Sequence, residues 1–67
     1  MQKKFLVTFH LTRGQIQQVI YECSQPFVQN KISKDISNNN INYLKIEDTI
    51  IFKKHIKSFD ILEINQN

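Results

Sequence analysis

A chain of 67 residues has room for one domain and one small core, whose net stability is only a few kcal/mol. Its 40% hydrophobic and 22% charged residues exclude a disordered tail, and no apolar run approaches the roughly 20 residues of a bilayer span. The net charge of +3, with both signs interspersed, favours solubility and is not in itself a nucleic-acid signature.

In chain order, "KFLVTFHL" alternates Phe5, Val7, Phe9 and Leu11 against Lys4, Leu6, Thr8 and His10, which predicts a strand. Two readings compete for the segment from Thr12 to Cys23. In the helical one, Thr12 and Gln15 make a capping box ahead of Ile16, Val19, Ile20 and Cys23 at helical spacing. In the other, Thr12, Arg13 and Gly14 form a three-residue hairpin loop with Gly14 at positive φ, and "QIQQVIYEC" returns along the first strand. The hairpin is preferred, because a helix would put glycine in its first turn and β-branched residues and a tyrosine in its body. That loop sets Val19 against Val7 and Tyr21 against Phe5 on one face, with Ile20 opposite Leu6 and Ile16 opposite His10 on the other.

The stretch "SQPFVQNKISKDIS" predicts the one helix, with Ser24 as cap, Pro26 in the first turn and Phe27, Val28, Ile32 and Ile36 as its apolar stripe. "SNNN", from Ser37 to Asn40, suits a turn. "INYLKIE" and "TIIFKK" read as strands joined at Glu47 and Asp48, and "IKSFDILEI" as a last strand after a break at Lys54 and His55. Residues 65–67 are expected to fray. The prediction is a single α+β domain, order β-β-α-β-β-β, with the helix packed on one face of a small antiparallel sheet. The alternatives are a β-grasp-like fold or a small barrel. The opening "MQ", strand, turn, strand and helix resemble the first half of the β-grasp, ubiquitin-like family. With one glycine there is no diglycine tail for conjugation, and no function is carried over.

A domain this small usually needs an aid to stability. Cys23 alone makes no internal disulfide, and His10, Cys23 and His55 lack the paired spacing of a zinc site, so no metal or cofactor is expected. Self-association remains, most simply as a dimer. "MQKK" precedes alternating residues rather than a signal-peptide core, and with the lone thiol this points to the cytoplasm. The absence of alanine, the single arginine and the abundant Ile, Asn and Lys suggest AT-rich coding, as in low-GC bacteria, their phages and plasmids, and some protists.

No catalytic constellation stands out. Among the acids only Glu47 and Asp48 are neighbours, in a predicted turn where acids are ordinary. Cys23 with His10 or His55 could form a thiol–base pair, but a structural thiol is the commoner case. In "IFKKHIKSF", Lys53, Lys54, His55 and Lys57 lie between Phe52 and Phe59, as in strand-binding surfaces where cations follow phosphates and rings stack on bases. A solvated turn with one or both phenylalanines in the core explains the same residues.

Both hairpins carry apolar residues on two faces: Leu6, Ile16 and Ile20 oppose the Phe5 side, while Tyr43, Ile50 and Phe52 oppose Leu44 and Ile51. One helix cannot cover both, so a second chain or a ligand is expected there, unless the register is shifted by one residue or the sheet curls into a barrel. The expected function is that of a small non-enzymatic regulator, such as a phage- or plasmid-encoded inhibitor, that self-associates and binds a partner protein through its sheet face or edge. Leu6, Ile16, Ile20, Tyr43 and Phe52 are the candidate binding residues, with Lys53 and Lys54 at the rim. The alternative is a single-stranded nucleic-acid binder using Phe52, Phe59, Lys53, Lys54, Lys57 and Tyr43.

Overall fold

The computed structural model describes residues 2–64. Its elements are β1 (Lys3–Leu11), β2 (Gln15–Glu22), α1 (Gln25–Ser37), β3 (Tyr43–Ile46), β4 (Thr49–Phe52) and β5 (Ile56–Ile64), with a 3-10 turn over Lys53–His55. The α+β class and element order are those that the hydrophobic periodicity predicts. Residues 65–67, expected to fray, lie outside the described residues.

The strands sort into two antiparallel sheets, a three-stranded one in the order β2-β1-β5 and a two-stranded β3-β4, rather than one sheet or a closed barrel. β1 is central, and its alternation decides what lies inside. Phe5, Val7 and Phe9 are wholly buried on its inner face, while Lys4, Leu6, Thr8 and His10 stay half-exposed on its outer face. Against the inner face α1 lays Val28 and Ile32, and the β3–β4 hairpin lays Leu44 and Ile51. Among the described residues these seven side chains form the buried core.

The first hairpin turns one residue earlier than the three-residue loop requires. Leu11 N–H donates to the Gly14 carbonyl at 2.9 Å, so the chain reverses over Thr12 and Arg13, and Gly14, at φ 91°, leads into β2. Every pairing shifts accordingly. Ile20 lies opposite Phe5 instead of Leu6, Ile16 opposite Phe9 instead of His10, and Val19 opposite Leu6 instead of Val7. Because side chains alternate with period two, this single step moves Ile16 and Ile20 to the core side, where both pack against the buried cluster, and sends Val19 and Tyr21 outward.

Ser24 occupies the N-cap of α1 with extended backbone and no side-chain cap bond, and Pro26 stands in the first turn. The buried stripe is Val28 and Ile32 with Ile36 packed beside them. Phe27 does not join it, because one residue is about 100° of rotation around a helix, and its ring is exposed. No helix among the described residues is long and apolar enough to cross a membrane.

Candidate functional site

The second hairpin reverses at Glu47 and Asp48, with Glu47 at φ 54°. Its pairs are Tyr43↔Phe52, Leu44↔Ile51, Lys45↔Ile50 and Ile46↔Thr49. Residues directly opposite share a face, so Leu44 and Ile51 point into the core while Tyr43, Lys45, Ile50 and Phe52 point out. Tyr43, Ile50 and Phe52 are 45, 54 and 53% exposed. The four outward strand residues are therefore two aromatic rings, one isoleucine and one lysine, with the exposed acids Glu47 and Asp48 at the tip of the hairpin.

Phe52 also divides two concave surfaces. On one side a groove of about 440 Å³ lies between β4 and the β1–β2 turn, walled by Leu11, Ile16, Ile50, Ile51 and Phe52, with Arg13 and His55 at its rim. Two polar contacts hold its walls together. Thr12 N–H donates to the His55 carbonyl at 3.0 Å, and Gln18 Nε2 donates to Thr49 Oγ1 at 2.6 Å. On the other side of Phe52 a second groove, of about 450 Å³, is bordered by Asn39, Asn42, Lys53 and Lys54.

The two rim lysines differ in kind. Lys53 Nζ donates to the carbonyls of Asn38 and Ile41 at 2.7 and 2.9 Å, and Lys53 N–H donates to the Asn42 carbonyl at 2.9 Å. Its ammonium is thereby a clamp on the loop after α1. Lys54 is exposed.

The outer face of the three-stranded sheet is a second surface. Val19, Leu6 and Leu62 form one row across β2, β1 and β5, and Tyr21, Lys4 and Ile64 form the row beside it. Tyr21 and Leu62 are 53 and 63% exposed. Beyond this apolar half the face turns polar: Gln17 Nε2 donates to Thr8 Oγ1 at 3.3 Å, and His10 Nε2 meets Asp60 Oδ2 at 2.6 Å.

The structure thus distributes the predicted apolar residues over four places. Tyr43 and Phe52 share the outer hairpin face, Ile16 walls the groove beside Phe52, and Leu6 lies on the separate outer sheet face. Ile20 packs against the core and borders only a small crevice with Ile32 and Leu44. Sequence reasoning left Arg13 and Leu62 out of the binding set. Arg13 needs the hairpin closed to reach the groove, and Leu62 needs the β1–β5 pairing to join Leu6.

Phe59 is no free platform, since its ring packs on Phe9 with centroids 6.1 Å apart. Cys23 is exposed just past Glu22, which pairs with Lys3. His10 lies seven residues further along β1, roughly 24 Å away at strand rise. The thiol–base pairing of these two is therefore out of reach.

No protein-family model matches this chain, and neither a curated protein nor a solved structure matches it. The fold and its surfaces define it as a small α+β domain with apolar area left outside a completed core.

Proposed function

We propose that this domain is a non-enzymatic interaction protein that self-associates through the outer face of its three-stranded sheet and holds a partner protein on its second hairpin. One observation carries the reading: with the core complete, two separate apolar surfaces remain outside, Leu6, Val19, Tyr21 and Leu62 on one and Tyr43, Ile50 and Phe52 on the other. A sheet with one face toward solvent is ordinarily polar there, so apolar rows on it call for a cover.

A second copy suits the sheet face. Lys4 flanks the apolar row on one side and Asp60 on the other, so a two-fold axis running across the strands at Leu6 sets the lysine row of each copy against the aspartate row of its mate. The small core makes such burial valuable, at about 1.5–3 kcal/mol for each large aliphatic side chain covered. The hairpin face, rich in aromatic residues, has the composition of a protein-binding hot spot. The mode of action is steric, by occupying a surface of the partner, as a small inhibitor does. The exposed thiol of Cys23 supports a reducing, cytoplasmic setting.

A second reading, single-stranded nucleic-acid binding, draws on the exposed Tyr43 and Phe52 with Lys45, Lys54 and Lys57. It is weaker than the sequence suggests, because Phe59 is packed and the Lys53 ammonium is engaged.

Sedimentation at micromolar concentration tests self-association. The parent should run as a dimer, and Leu62→Lys, at an exposed position, as a folded monomer. A parent that stays monomeric through its dilution series removes that half of the proposal. Binding to a random oligonucleotide that falls steeply with salt would favour the second reading.

A further inference from the structure

Three consecutive residues of β4, Ile50, Ile51 and Phe52, wall the groove beside the Thr12–Arg13 turn. Successive side chains of a strand point to opposite faces, so a groove reached by all three runs along the strand's edge and not over one face. No residue of β3 borders it, which makes it the edge that β3 leaves free.

The backbone of that edge is set by the register. Lys53 N–H donates to Asn42 in the same frame as Leu44↔Ile51 and Ile46↔Thr49. Antiparallel alternation then directs the backbone of Thr49 and Ile51 toward β3 and turns the N–H groups of Ile50 and Phe52 away from it. Neither Ile50 nor Phe52 makes a backbone hydrogen bond to a turn or loop of the described residues. A strand edge with free donors beside an apolar trough is the arrangement that accepts an added strand.

Charge narrows the occupant. Arg13 and His55 stand at the rim of this groove, and Lys53, Lys54 and two asparagines border the one across Phe52; among the described residues neither is lined by a carboxylate. The first groove's other walls are mainly apolar, four aliphatic side chains and the single ring of Phe52, which suits an inserted side chain better than a run of stacked bases.

We propose that the free edge of β4 takes an extended acidic segment of a partner protein as an additional strand, seating an apolar side chain between Leu11, Ile16 and Phe52 and carboxylates toward Arg13 and Lys54. This rests on the protein-binding role proposed for the second hairpin and names the partner's chemistry.

The experiment is an NMR titration of the isotope-labelled protein with a short synthetic peptide alternating glutamate and valine, and with its lysine–valine counterpart. The acidic peptide should shift the Ile50 and Phe52 amides, and the basic one should bind at least tenfold more weakly. Arg13→Glu, in an exposed turn, should weaken the acidic peptide by about tenfold, the scale of one rim charge pair. Ile50→Pro removes one outward amide and should abolish the shift of the remaining one, at Phe52; if it fails to fold, Arg13→Glu carries the test alone.

Equal affinity for the two peptides, or no shift at millimolar concentration, overturns strand addition. Shifts confined to Tyr43 and Lys45 also overturn it, while leaving a protein-binding outer face in place. An oligothymidylate that moves the same amides at lower concentration than the peptide overturns both this inference and the hairpin's protein-binding role. The sedimentation of Leu62→Lys is independent of all these outcomes.

Discussion

Gln18 Nε2 donates to Thr49 Oγ1 across 2.6 Å, and that bond joins β2 of the three-stranded sheet to β4 of the two-stranded one. Among the described residues no hydrogen-bonded ladder connects the two sheets, so this contact and Thr12 N–H to His55 add to the apolar packing of Leu44 and Ile51 in seating the second hairpin. Thr49→Val keeps the shape and leaves the Gln18 amide without its acceptor. The expected loss is about 1 kcal/mol in denaturant unfolding. An unchanged midpoint would mean that apolar packing alone seats the hairpin.

Two turn positions should respond in opposite directions to exchanging glycine. A Cβ at Gly14 meets no atom within 4 Å, so its φ of 91° is the whole objection to a side chain there. Gly14→Ala should therefore cost about 1 kcal/mol, whereas D-alanine at the same position should be tolerated. Glu47 holds φ 54° with an ordinary side chain, and Glu47→Gly should raise stability by roughly 0.5 kcal/mol. Thermal midpoints of the two variants moving in the same direction would contradict this account.

Adjacent lysines should differ sharply. Lys53→Met removes a charged donor from the Asn38 and Ile41 carbonyls and should cost about 1.5 kcal/mol or more, with faster hydrogen exchange in the loop after α1. Lys54→Met touches an exposed side chain and should stay within about 0.5 kcal/mol of the parent. Equal effects in the two unfolding curves would show that the clamp contributes nothing.

Cys23 should react in the folded state at the rate of an unhindered thiol, because it is exposed at the end of β2. Cys23→Ser should leave both stability and peptide binding unchanged. A folded Cys23→Ser protein that loses binding would give the thiol a role.

Much of the fold is legible from alternation alone. Phe5, Val7 and Phe9 mark the buried face of β1, and Leu44 and Ile51 that of the second hairpin, because a strand half-buried in a core has no other way to separate its side chains. The outer placement of Tyr43, Ile50 and Phe52 comes from the same rule. The first hairpin is harder, since β2 has apolar residues of both parities: Ile16 and Ile20 on one, Val19 and Tyr21 on the other. Such a strand fits either register, and only the Leu11–Gly14 hydrogen bond decides which pair goes inside. The groove is less legible still. It is built where the Thr12–Arg13 turn approaches β4, and nothing local to either segment announces their meeting.

The pairing of β1 with β5 also sets an order of assembly. The first hairpin closes over a two-residue reversal and can form within microseconds, as can the second. The contact of His10 with Asp60 instead spans 50 positions, and the ring stack of Phe59 on Phe9 depends on the same closure. During synthesis β1 must therefore wait, with one edge open and three aromatic or aliphatic side chains lacking part of their cover, until β5 has emerged. A chain stopped after the second hairpin would carry both turns and the helix but present the middle strand of its sheet as a bare edge, open to any strand nearby.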